Sequence, residues 1–271
     1  MSWKKQIEQV LISKGMTNKA GIIIKDIKND ETFSLNGEQS FPSASLIKLS
    51  ILWTLFSKEN AEELSLNETI TLKEADKVEG GLLHLYKEGA KLRLEDLALL
   101  MIAVSDNTAT NLIIDRLGID QINNEIKKLG LKGTILGRKM LDFEAKKAGK
   151  DNYTTPEDIS NLLGKILTST SLPVSRRKRM LEMLSAQKLN IKLPSLVPFN
   201  DVDEIEGFLA HKTGELPGSE HDAGIFFYNS DHPILVTVLT RNLSNRVAGV
   251  DLCAQIGAII FEHFGKGYFD A

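Results

Sequence analysis

A chain of 271 residues, 42% hydrophobic and 25% charged, has ordinary globular composition and enough apolar material for a sizeable core. The formal net charge of -3 argues against a global basic field that would hold nucleic acid. A single cysteine, Cys253, rules out an intrachain disulfide, and the five histidines show no paired ligand spacing, so neither a metal nor a cofactor is expected.

The segment Met1 to Leu11 lacks the uninterrupted apolar run of a signal peptide and reads as an amphipathic helix. No stretch approaches the roughly 20 apolar residues of a membrane span. As written, the chain is expected to be cytoplasmic; a leader ahead of it would make it secreted or cell-envelope. Ala20–Asp26 reads as a strand, Lys28-Asn29-Asp30 as a turn, and Thr32–Leu35 as a returning strand.

From Ser45 to Phe56 apolar residues occupy most of a helix circumference, so this helix is expected to be buried. Buried polar groups are costly without partners. Yet Ser45 and Lys48 stand three residues apart, on one face of its first turn. A second apolar helix, Leu94 to Val104, stops at Ser105-Asp106-Asn107, residues that favour local side-chain bonds over helix continuation. Thr108 is expected to cap the next helix, which Gly118 stops after Leu117. Asp120 is expected to cap another, closed by Gly130.

Arg138 to Tyr153 has no clean period and many charges, and reads as a long loop of the kind that is usually functional or disordered. Thr155-Pro156-Glu157-Asp158 restarts a helix with a cap, a first-turn proline and acids placed for the dipole. Ser175 to Gln187 is a further helix, with Arg176-Arg177-Lys178-Arg179 as its solvated face. The period then changes to two. Phe208–Gly214 is a strand, and Asp222–Asn229 and Ile234–Thr240 form a hairpin around Ser230-Asp231-His232-Pro233. A helix from Asn245 to Phe264 closes the chain.

Strands at both ends with helices between them predict an α+β fold. Residues 1–40 and 195–271 would build one antiparallel sheet with flanking helices, and residues 41–194 a mostly helical lobe. A cleft between the lobes is the expected place for a site.

Ser-x-x-Lys is a weak signal, occurring at Ser2, Ser45, Ser175 and Ser185; only the Ser45 copy opens a buried helix. Ser-x-Asn occurs at Ser34, Ser65 and Ser105, and only Ser105-Asp106-Asn107 lies between two apolar helices. Lys-Thr-Gly occurs once, at Lys212-Thr213-Gly214, ending a strand. In isolation Ser105 and Asn107 could simply cap helices and Lys212 could be a solvated strand residue. Together and in this order the three motifs are the signature of class A β-lactamases and penicillin-binding proteins. The chain resembles that family in the segment Val104–Leu112, in the strand Gly207–Gly214, and in its helix–sheet–helix order.

The resemblance implies a β-lactamase/transpeptidase-like fold and a serine acyl-enzyme mechanism acting on a small-molecule β-lactam or an acyl or peptide substrate, in a monomer. It makes Ser45 the nucleophile, Lys48 its general base, and Ser105 the relay to the leaving nitrogen. Asn107 would bind the substrate's amide side chain. Lys212 and Thr213 would hold its carboxylate, with Gly214 giving it room. The oxyanion hole would be the backbone N–H groups of Ser45 and Glu215. One departure stands out. Class A enzymes carry a glutamate two residues after an arginine in the loop, as the deacylation base. Here Arg138 is followed by Lys139 and Met140, and a thioether is no useful proton acceptor. Glu144 is the expected substitute, Asp142 a weaker one. Otherwise deacylation is slow, as in a penicillin-binding, D-Ala-D-Ala peptidase-like or esterase-type enzyme. Arg241 is the candidate for a carboxylate-binding arginine.

Overall fold

The computed structural model describes residues 1–199, 205, 207–227 and 232–265. Helix α1 (Trp3–Ser13) leads into β1 (Ala20–Asp26) and β2 (Glu31–Leu35). After the short β3 (Phe41–Pro42) come a single 3-10 turn, Ala44–Leu46, and α2 (Ile47–Asn60). The middle of the chain holds β4 (Thr69–Thr71), β5 (Lys91–Arg93), α3 (Leu94–Ala103), α4 (Asn107–Leu117), α5 (Ile119–Lys128), α6 (Phe143–Lys147), β6 (Tyr153–Thr154), α7 (Pro156–Thr168) and α8 (Val174–Ser185). The C-terminal part returns to strands, β7 (Leu209–Leu216), β8 (Ser219–Phe227) and β9 (Pro233–Thr240), and ends in α9 (Arg246–Phe264). The tip of the β8–β9 hairpin, including the expected turn residues Ser230 and Asp231, lies outside the described residues.

The terminal strands do form one sheet, in the order β2-β1-β9-β8-β7 with every neighbour antiparallel. Closing β1 against β9 ties the two ends of the chain together, Ala20 opposite Thr240 and Asp26 opposite Ile234. The sheet separates two cores. On one face Trp3, Ile7 and Leu11 of α1 meet Leu252, Cys253, Ile256 and Ile260 of α9 over Ile22, Ile24, Val236 and Val238. On the other, α2, α7 and α8 pack with Ile225, Leu235 and Leu239. Burial raises the Cys253 thiol pKa, so it stays a protonated apolar filler. Helix α9 is 19 residues long with a mean hydropathy of 1.4, the length and composition of a membrane span and closer to one than the sequence pattern suggests; here it covers the sheet.

Helix α2 is buried on all sides from Ile47 to Phe56. Each fully buried leucine, isoleucine or phenylalanine there contributes about 1.5–3 kcal/mol. Several such side chains together hold the helix in place against the cost of its one buried lysine.

Two caps differ from expectation. Asp106, not Thr108, caps α4: its Oδ1 accepts from Ala109 N–H at 2.8 Å, while Thr108 Oγ1 turns away to Val78. Gly118, at φ +84°, takes the N-cap position of α5 and leaves Asp120 inside the first turn. Thr155 caps α7 as expected, accepting from Asp158 N–H, and Asn245 caps α9, accepting from Ala248 N–H. The arginines of 176–179 are tied rather than free: Arg176 pairs with Glu59, Arg179 with Glu95 and Glu182, and Arg177 bonds Leu167 O.

Candidate active site

Ser45 sits on the 3-10 turn just ahead of α2, not inside the α-helix itself. Ala44 before it has φ +45°, a conformation that costs L-residues energy and persists only where the surroundings hold it. Ser105 at φ +56° and Leu141 at φ +59° are strained in the same way, and both flank the same cleft. Three of the seven positive-φ non-glycine residues among those described therefore converge here.

Lys48 is fully buried, and desolvation pulls its pKa down to about 7, the charge of Asp106 opposing the shift. Its Nζ lies 2.7 Å from Ser105 O, 3.1 Å from Ser105 Oγ and 2.9 Å from Asn107 Oδ1. A neutral amine has two protons and one lone pair. Donating to Ser105 O and Asn107 Oδ1 leaves that lone pair facing the Ser105 hydroxyl, whose rotor can donate to it. The turn thus accepts either protonation state of Lys48 without stranding a polar atom.

The Ser-Asp-Asn turn is itself pinned. Asp106 is buried, and its Oδ2 accepts from Leu82 and Leu83 N–H at 2.6 and 2.8 Å. Gly80 and Gly81, at φ +90° and +94°, press against this turn, where a side chain on either would collide with Asn107 or Asp106. Asn107 Nδ2 donates to Glu79 O at 2.9 Å.

Lys212 projects from β7, fully buried, with Nζ donating to Thr213 O at 2.9 Å. Desolvation first, then the charges of Lys48 and Lys192, lower its pKa well below the ordinary lysine value. Gly214 lies against the nucleophile turn: a Cβ there would stand 3.1 Å from the Ala44 Cβ. Glu215 is exposed and its carboxylate pairs with Arg246 at 2.8 Å.

Ser45, Asn107 and Glu215 line one side of a cleft of about 310 Å³, while Lys48 and Lys212 are fully buried; the 138–153 loop lines the other side with Met140, Leu141 and Phe143 and with Arg138 and Asp151. The 138–153 loop is not structureless. It holds the short α6, capped by Asp142, whose Oδ1 accepts from Ala145 N–H at 2.9 Å. Arg138 and Asp151 close its neck with paired contacts of 2.8 Å, and Asn152 Oδ1 accepts from Gly137 and Arg138 N–H. Asn111 grips Met140 on both sides of its backbone, at 2.8 and 3.1 Å.

The structure does not bring Glu144 to the site. In the first turn of α6 its side chain points outward, 84% exposed, and pairs with Lys147 at 2.7 Å. Asp142 is occupied as the α6 cap. Arg241 is also displaced, donating to Ser40 O at 3.0 Å and lying over the Phe41 ring. The position opposite Gly214 on β8 is His221, whose Nε2 bonds Pro42 O at 2.8 Å and whose pKa burial lowers to about 4, so it is neutral. Ser45, Lys48, Ser105, Asn107, Lys212, Thr213 and Gly214 are brought together; Asn111, Lys192 and His221 join them without any motif to announce them.

A serine following a strained residue and one turn ahead of a buried lysine of lowered pKa, with a second buried lysine that feels the charge of the first, defines a serine acyl-transfer site. The chain belongs to the beta-lactamase enzyme family, whose model matches residues 2–264. It is 27% identical over 267 residues to beta-lactamase CARB-3 of Pseudomonas aeruginosa, covering 95% of this chain and 90% of that protein. Among solved structures it superposes on a beta-lactamase from Sphaerobacter thermophilus with a TM-score of 0.87 and 30% identity, covering 98% and 99% of the two chains. It also superposes on PBP-A, in a variant solved as its acyl-enzyme complex with penicillin G, with a TM-score of 0.84, 28% identity and 97% and 96% coverage. The β-lactamase-like fold expected from the motifs is the fold of this chain.

Proposed function

We propose that this chain is a serine β-lactam hydrolase that opens the β-lactam amide through an acyl-enzyme on Ser45. The observation that carries it is a cleft lined by Ser45 and Asn107, with the buried Lys48 bonded to Ser105 and Asn107, its pKa near 7, and the buried Lys212 close enough to feel its charge. A serine hydroxyl is a weak nucleophile until a base takes its proton. Neutral Lys48 is that base, because burial makes the free amine accessible near neutral pH. Ser105, bonded to Lys48 Nζ at 3.1 Å, carries the proton on to the departing nitrogen. Lys212 and Thr213 attract the substrate carboxylate, and Asn107 binds its amide side chain. The N–H groups of Ser45 and Glu215 receive the developing oxyanion; removing one such donor typically costs about 2.7–4 kcal/mol.

Release of the acyl group needs water and a base. The carboxylates lining the cleft are engaged, Asp151 by Arg138 and Glu215 by Arg246. Lys48, paired with Ser105, serves the second half-reaction as well as the first. Met140 takes the place of the family glutamate and supplies no proton acceptor there, so release is the slower half. One copy of the chain carries every group this mechanism uses, and a monomer is the working unit of the proposal. The test is turnover of a chromogenic cephalosporin by the wild type and by Ser45→Ala. Loss of turnover in the variant is expected, and an unchanged rate would refute the mechanism.

A further inference from the structure

Lys192, between α8 and β7, is 2% exposed in its side chain, and no substrate role falls to it in the mechanism above. Its Nζ donates to Gly214 O at 2.8 Å and to His221 O at 3.1 Å. It also lies 2.7 Å from Glu220 Oε2, on a carboxylate 1% exposed. Gly214 and His221 are register partners across β7 and β8. One ammonium reaches both carbonyls only if they face each other between the strands, as in a closely spaced antiparallel pair.

That orientation has a consequence for the next amide. A peptide group is planar and trans, so its C=O and N–H point in opposite directions. The carbonyl of the Gly214–Glu215 peptide faces β8; its N–H, that of Glu215, therefore faces out from β7. Since β7 is the edge strand of the sheet, nothing in the sheet competes for that N–H. Ser45 and Glu215 line the same cleft, and Ala44 lies against Gly214.

We propose that Lys192 is a positioning residue for the oxyanion hole, holding the Gly214–Glu215 peptide by its carbonyl so that Glu215 N–H is aimed at the oxygen attacked by Ser45. The inference rests on the acyl-enzyme reading of Ser45. A cation on the carbonyl also polarises the amide and strengthens its N–H as a donor, as in any hydrogen-bonded chain. Glu220 keeps Lys192 in register, and Arg246 bridges Glu220 at 3.0 Å to the Glu215 carboxylate at 2.8 Å. The peptide and the side chain of Glu215 are thus held by one chain of charges. A buried ion pair is a poor way to gain stability, since apolar side chains of similar volume often do better. Aiming a donor explains why this one is present.

The experiment compares the wild type with Lys192→Met and with the double variant Lys192→Met/Glu220→Gln, which leaves no buried carboxylate without its lysine. Each is acylated with cefoxitin. Intact mass counts the adduct, stopped-flow gives the acylation constant, and infrared difference spectroscopy reads the ester carbonyl stretch. In both variants the band is expected to move to higher wavenumber and the acylation constant to fall by about 10–100-fold, less than the loss of a whole oxyanion donor. An unshifted band with acylation within about twofold of wild type, in either folded variant, overturns the proposal. So does a rise in KM alone, which would make Lys192 a substrate-binding group. No adduct on the wild type overturns the acyl-enzyme reading and this inference with it; an adduct with an unshifted band overturns only this inference.

Discussion

The two walls of the cleft are built in opposite ways. On the Ser45 side the buried charged groups are each answered: Lys48 by Ser105 and Asn107, Asp106 by two backbone amides, Lys192 by Gly214 and Glu220. On the loop side Leu141 and Phe143 are apolar and 37% and 61% exposed, and the one acid of α6, Glu144, faces solvent. Preorganised polar groups stabilise charge as it develops, whereas an apolar wall shapes and dries a site without supplying a base. The contrast fits the proposal that the polar wall does the bond-breaking, since the two carboxylates that line the cleft, Asp151 and Glu215, are both paired with arginines.

The largest effect that probes this contrast is at Ser45. Ser45→Ala is expected to remove turnover of a chromogenic cephalosporin by up to about 10⁶-fold, the scale seen for loss of a serine nucleophile. Lys48→Met comes next, with acylation down by about 10²–10⁴-fold, the range of general-base catalysis. In the wild type the acylation constant should rise with pH through about 7, because only the free amine accepts the serine proton; a profile flat from pH 5 to 9 would remove Lys48 from the role.

The same lysine should show in stability, with the sign fixed by linkage. Between about 7 and the ordinary lysine value of 10.5 the unfolded chain holds a proton that the folded chain has released, so folding stability rises with pH there. Lys212, shifted the same way, adds to that slope. Lys48→Met should therefore unfold at higher denaturant concentration than wild type, most clearly at or below pH 7, by about 0.5–2 kcal/mol.

On the other wall, Met140→Glu should speed release of the penicilloyl group by about 10²-fold, the low end for an added general base, read as the decay of the adduct by mass. An unchanged decay would mean that the loop does not limit release. The smallest effect is at Glu144. Glu144→Gln should leave both acylation and release unchanged, and a clear loss would return Glu144 to the mechanism in place of Lys48.

Much of the Ser45 wall was legible because its chemistry violates its surroundings. A lysine inside an all-apolar helix, a Ser-Asp-Asn break between two apolar helices and a strand ending in Lys-Thr-Gly each stand out from pattern alone. The terminal strands were legible from their period of two, and their closure into one sheet from the order of elements. The loop wall was not. Five helical residues, 143–147, are too few for a period to show, and whether Glu144 points in or out depends on the cap at Asp142, a tertiary matter. Asp106 shows in sequence only as a helix breaker, because an Asx cap and a buried tie to a distant loop look the same there. Lys192 has no motif, since what it does depends on a carbonyl brought to it by the pairing of β7 with β8.

Intact-mass measurement of the wild type at intervals after mixing with penicillin G tests the central claim most directly. One penicillin adduct on the peptide carrying Ser45, forming quickly, decaying more slowly and absent from Ser45→Ala, is the expected result. No adduct and no turnover, or turnover undiminished in Ser45→Ala, would contradict it.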